Sequence, residues 1–143
     1  MKAGAAFAIV AAIVGAAVAG TARAQPSPVC AAASGPETGR LTHPRVQLAW
    51  RAQPEPIVVG RPFAIEFDVC PVTAGASVDR IRVDASMPAH RHGMNYQPRL
   101  AQAAPGRFRA EGLLWHMPGT WQVLFEMRID GEPVRLTQDV AVR

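Results

Sequence analysis

An all-β fold, an immunoglobulin-like antiparallel β-sandwich of about seven strands, is predicted by three observations. Apolar and polar residues alternate with period two over several short segments, most clearly Phe63, Ile65, Phe67 and Val69 against Ala64, Glu66 and Asp68. Turn signals built on Gly and Pro separate these segments at intervals of roughly 8–12 residues. No segment beyond residue 24 carries a convincing helical period.

The chain begins with an expected export signal, residues 1–24. Lys2 supplies a positive start, Ala3 to Gly20 is an unbroken apolar run, and Ala22-Arg23-Ala24 fits the small-x-small cleavage rule. The competing reading is an uncleaved membrane anchor, which an alanine-rich and weakly hydrophobic run supports less well. Cleavage leaves 119 residues, enough for one core and too few for two, in the periplasm and with no membrane span. It also leaves 13 cations against 11 acids, with no basic stripe, so nucleic-acid binding has no support. Residues 25–43, rich in Pro, Ala, Ser and Gly, are expected to form a tether, and residues 44–143 the folded domain.

Val46, Leu48 and Trp50 open the alternation, and Phe63 to Val69 form the second strand. Val78 to Ala85 is the third, with Ile81 and Val83 inward. Pro98 to Ala103 reads as a weak edge strand. Phe108 and Ala110 alternate with charged neighbours up to Gly112, which marks a bulge before Leu113. Trp121, Val123, Phe125, Met127 and Ile129 form the next strand, and Asp130-Gly131 is a two-residue hairpin signal. Val134, Leu136 and, after a break in phase, Val140 and Val142 complete the last strand.

Antiparallel strands alternate in direction, so their connections alternate between the two ends of the sandwich. Ser86–Asn95 and His116-Met117-Pro118-Gly119 then share one end, and Cys70 and Pro105-Gly106 lie at the other. The same count brings the tether in at the Cys70 end, within reach of Cys30. In an exported chain the pair Cys30 and Cys70 reads as a disulfide, worth about 4 kcal/mol in the chain-entropy picture. Two copper thiolates are the weaker alternative, because no Cys-x-x-Cys spacing exists.

Three of the four histidines and three of the five methionines fall between Met87 and Met117. Imidazole and thioether bind late transition metals without adding negative charge, and together they favour copper, as Cu(I) more than Cu(II). The candidate ligands are His90, His92 and Met94 in the first loop, with His116, Met117 and Met87 available to complete a three- or four-coordinate site. Taken singly, Met87 and Met117 fit core packing better than ligation. His90, His92 and Met94 together fit a metal better, because three polarisable groups crowd one loop. His43 stands apart and reads as structural. Asp84, Asn95 and Tyr96 flank the first loop, to orient an imidazole or, more simply, to cap strand ends. Neither a HExxH zinc motif, nor a nucleophile elbow, nor a phosphate loop is present, so no enzymatic activity is expected.

The pattern Met-Pro-x-His-x-His-Gly-Met over Met87 to Met94, the Gly106 to Phe108 strand start, and Leu-x-His-Met-Pro-Gly-x-Trp over Leu114 to Trp121 resemble the YtkA-like / FixH-like domain family. The resemblance spans about Val58 to Val142. It implies an exported immunoglobulin-like domain associated with copper handling, and a periplasmic copper-protein or oxidase-assembly partner. The expected function is a periplasmic copper-binding protein, a chaperone or buffer. The alternative is a metal-independent interaction module that docks a partner on a Met-rich, aromatic-lined face.

Overall fold

The alternating segments pair into two antiparallel sheets packed face to face. A computed structural model describes residues 39–143. The expected signal peptide, most of the expected tether and Cys30 lie outside the described residues. The strands are β1 (Gly39–His43), β2 (Val46–Gln53), β3 (Pro62–Pro71), β4 (Val78–Met87), β5 (His92–Gly93), β6 (Arg99–Ala104), β7 (Arg107–Leu114), β8 (Gly119–Ile129) and β9 (Glu132–Val142). One sheet runs β1-β2-β3-β7-β6 and the other β5-β4-β8-β9. Without the edge additions β1 and β5, the order is β2-β3-β7-β6 over β4-β8-β9. That is the four-over-three arrangement of an immunoglobulin constant-type sandwich.

The core is the inward half of each alternating strand. Leu48, Trp50, Ile65, Phe67, Leu113, Trp121, Val123 and Phe125 are all fully buried. Each such side chain contributes roughly 1.5–3 kcal/mol through removal from water. Phe67 on β3 and Phe125 on β8 touch at 5.2 Å between ring centroids, and Trp50 meets Phe125 at 6.0 Å. This aromatic contact joins the two sheets between the strands that antibody domains cross-link with a disulfide.

Local irregularities follow from particular residues. Asp130 and Gly131 both have positive φ (51° and 80°), as a two-residue turn of the predicted kind requires. Gly112, at φ 85°, is the predicted bulge: β3 pairs Phe63 with Leu113 and Ala64 with Glu111, so Gly112 has no opposite number. Three expectations are corrected. Gly39–His43, assigned to the tether, is a strand that pairs residue by residue with Trp50–Val46. The segment is too short to show its period against the Pro- and Gly-rich stretch before it. Gly39 therefore lies opposite Trp50, and Thr42 and His43 lie at the end where Cys70 is. The last strand has no break in phase either: Gln138 stands between Leu136 and Val140 at an inward position, where its Oε1 accepts the Trp50 Nε1–H at 3.0 Å. A polar residue there satisfies a buried indole donor, which alternation of apolar residues alone does not reveal.

No cysteine among the described residues is free, and no helix among them is long and apolar enough to cross a membrane.

Candidate metal centre

Two connections from different parts of the chain meet at one end of the sandwich. Pro62 pairs with Leu114, whereas Pro71 at the far end of β3 pairs with Val46, so the His116 loop and Cys70 lie at opposite ends as the strand count requires. The first connection leaves β4 at Met87. Pro88–His90 form a single 3-10 turn, closed by Arg91 in left-handed conformation (φ 50°) with its N–H on the Pro88 carbonyl. The chain thus reverses and lays β5 back along β4, with Met87 opposite His92 and Ser86 opposite Gly93. Directly opposed residues project from the same face of a sheet. Met87 faces the core, being 2 % exposed, so His92 is aimed inward over the end of the core.

The second connection runs from β7 to β8. Trp115 turns inward and its carbonyl accepts the Gly60 N–H at 2.8 Å. Two residues on, the Met117 carbonyl accepts the Trp121 Nε1–H at 3.0 Å. Trp115 and Trp121 stack in parallel at 5.4 Å between centroids, both fully buried. Trp115 also meets the edge of Phe63 at 5.1 Å. Its indole N–H finds no acceptor among the described residues, so ring packing holds it in place. This aromatic floor carries His116 between its two anchors.

The result is a histidine pair. His92 Nε2 and His116 Nε2 are 2.8 Å apart, with ring centroids at 4.7 Å and the rings 75° apart. Both rings stand against Trp121, at 6.4 Å and 5.7 Å. Two neutral imidazoles at this separation share one proton, one donating and the other accepting. With metal–nitrogen bonds of 2.0–2.1 Å, the same spacing subtends an angle of about 85° at a common ion. A tetrahedral angle needs only about half an ångström more, which the exposed His116 can supply by a small rotation.

The donors around the pair decide which ion fits. Among the described residues no third His, Cys, Asp or Glu joins a metal-binding group. The methionines of the same two loops are the other donors of the kind that suits such an ion. Met94 lies two residues beyond His92, with its N–H on the Ala85 carbonyl at 3.1 Å, and is half-buried. Met117 follows His116 directly and is also half-buried against the core. Met87 is packed into the core, and a Cβ placed on Gly119 would come within 2.8 Å of its methyl. Two imidazoles with one or two thioethers suit copper and fit zinc, calcium or magnesium poorly.

The sequence groups His90 with His92 and Met94 in one loop. The structure instead pairs His92 with His116 and leaves His90 exposed on the 3-10 turn, in no ring contact with the pair. The tight turn at Arg91 leaves His90 on the 3-10 turn and puts His92 on a strand, so closeness in the chain does not bring the two side chains together. Asp84 accepts the Ala85 N–H at 2.8 Å and pairs with Arg82, and the Tyr96 hydroxyl donates to the Leu114 carbonyl at 3.3 Å. Tyr96 thus ties down the end of β7, whereas Asp84 lies inside β4. Trp121, which sequence analysis treated as a core strand residue, is the floor of the site. Its offset from His116 in the Leu114 to Trp121 motif is the one signal that marked it. His43 Nδ1 accepts the Arg45 N–H at 3.2 Å in the β1–β2 turn, at the opposite end. No family model, curated protein or solved structure matches this chain.

Proposed function

We propose that this chain is an exported copper-binding protein, a chaperone or buffer that holds Cu(I) in preference to Cu(II) between His92 and His116. Thioethers from Met94 and Met117 complete the site, with Met87 as the buried reserve. The observation that carries the reading is the 2.8 Å approach of two imidazole nitrogens contributed by loops 24 residues apart. Lone pairs that converge from separate loops, a methionine in each of those loops, and no third His, Cys, Asp or Glu in a metal-binding group among the described residues support one class of ion. The resemblance to YtkA-like / FixH-like domains fits the same assignment, and with it a periplasmic copper-protein or oxidase-assembly partner. A Cys30–Cys70 disulfide belongs to the same picture of an exported chain.

Titration of the purified protein with Cu(I) against a competing chelator tests the assignment. His92→Ala and His116→Ala are each expected to weaken binding on the order of a hundred-fold, since even an outer partner of a ligand is worth 10–100-fold. His90→Ala is expected to leave it unchanged. Full binding by the His92→Ala/His116→Ala double variant removes the site. Retention of a periplasmic partner in the presence of a strong copper chelator instead supports a metal-independent docking module.

A further inference from the structure

The third ring of the site is not explained by ligation. The Trp121 indole nitrogen carries a donor and no lone pair, and that donor is already spent on the Met117 carbonyl. Yet both imidazoles stand nearly perpendicular to its ring, at 73° and 75°. The three centroid separations form a triangle that places the midpoint of the histidine pair inside the roughly 6 Å reach of a cation–π contact. Trp121 is fully buried and backed by the parallel ring of Trp115, so it cannot swing away. An ion between the imidazoles would then lie within contact distance of the indole ring, with no third His, Cys, Asp or Glu among the described residues in a metal-binding group with the pair.

We infer that Trp121 is the specificity-determining residue of this site, selecting Cu(I), and its analogue Ag(I), over Cu(II). The inference rests on the proposed copper site and adds to it the source of its selectivity. A monovalent soft ion loses little hydration when it enters such a place, and the π system returns part of that loss. A divalent ion loses far more hydration, and neither an indole nor a thioether restores it as further nitrogen or oxygen ligands would. Trp121 therefore acts on the choice of ion through its ring and is not itself a ligand.

Near-ultraviolet difference absorption of the full chain on addition of Ag(I) reads the contact directly. The expected result is an indole difference band in the wild type that disappears in Trp121→Phe and persists in Trp50→Phe. Trp50 is the internal control, because its ring meets Phe125 and no imidazole. The second measurement is the ratio of Cu(I) to Cu(II) affinity. Trp121→Leu is expected to lower it on the order of ten-fold, and Trp121→Phe, which keeps a ring, by less. Silver binding without an indole band overturns the role of Trp121 and leaves the copper site standing. Equal ratios in wild type and Trp121→Leu do the same. Absence of any silver or Cu(I) binding by the wild type overturns both. The wild-type band needs no variant to fold.

Discussion

His92 and His116 meet because single residues control how each loop turns back. Arg91 accepts a left-handed conformation that folds β5 onto β4, and Gly119 starts β8 at φ 127°, a conformation that suits glycine. Gly119 also lies against the Met87 methyl. A Cβ there needs the thioether to move, and Met87 has almost no room because it is buried. Gly119→Ala is expected to cost about 1–3 kcal/mol through backbone strain, read as a fall in the urea midpoint. Cu(I) affinity should weaken with it, because the same turn sets the distance from His116 to Trp121. An unchanged midpoint would show that the turn relaxes freely. The histidines were legible in the sequence as a cluster, but their partners were not. His90 and His92 are neighbours in the chain and part at Arg91; His92 and His116 are distant in the chain and share a proton's distance in space.

At the scale of elements, the hairpin β8–β9 carries the largest share of the second sheet, with eleven residue pairs in register from Gly119 opposite Val142 to Ile129 opposite Glu132. Its turn is tied to the start of β4: Asp130 Oδ1 accepts the Ser77 N–H at 2.8 Å, and the Asp130 N–H donates to the Ser77 carbonyl at 3.0 Å. Gly131→Ala forces a Cβ into left-handed conformation and is expected to cost about 1–2 kcal/mol. The loss should appear in equilibrium unfolding, with Cu(I) binding at the far end of the strands unchanged. The outer face of the first sheet is held differently. Glu66 on β3 accepts from Arg51 Nε at 2.9 Å and from Arg109 at 2.6 Å, joining β2, β3 and β7 across their strands. Burial pushes its carboxyl up, and the two guanidiniums more than offset that, so its pKa lies below the usual value of 4.5. A depressed carboxylate pKa contributes stability above the unfolded value, and that contribution fades as pH falls through the folded one. Denaturation measured from pH 6 down through the range below 4.5 should show wild type ahead of Glu66→Gln at the upper end, and the gap closing at the lower. A constant gap would mean that the charge of Glu66 does not matter.

For the whole molecule, the decisive contact is the aromatic joint between the sheets. Phe125 touches both Trp50 and Phe67 and is fully buried. Phe125→Ala removes this joint and opens a cavity, and is expected to cost about 3–5 kcal/mol. The far-ultraviolet strand signal of the wild type should be indifferent to a copper chelator, because the core closes without help from the proposed site. Collapse of that signal on metal removal would make the site a structural one. A folded scaffold with a site on its rim would suit the proposed uptake and release of an ion without unfolding.

Sequence alone determined the sandwich, because side-chain alternation fixes which face of each strand is buried and turn residues fix where strands reverse. Parity of strand direction also determined that the two His/Met connections share an end, opposite Cys70. It did not expose β1, too short to show a period, or the inward role of Gln138, which exists only because Trp50 needs an acceptor across the core. Which histidines face each other, which methionines of the two loops stay half-buried, and that Trp121 underlies the pair were decided by tertiary structure. Periodicity reports the orientation of a side chain relative to its own strand. The distance between two imidazoles depends on how two loops leave different sheets and fold over one core, and no local pattern in the chain encodes that.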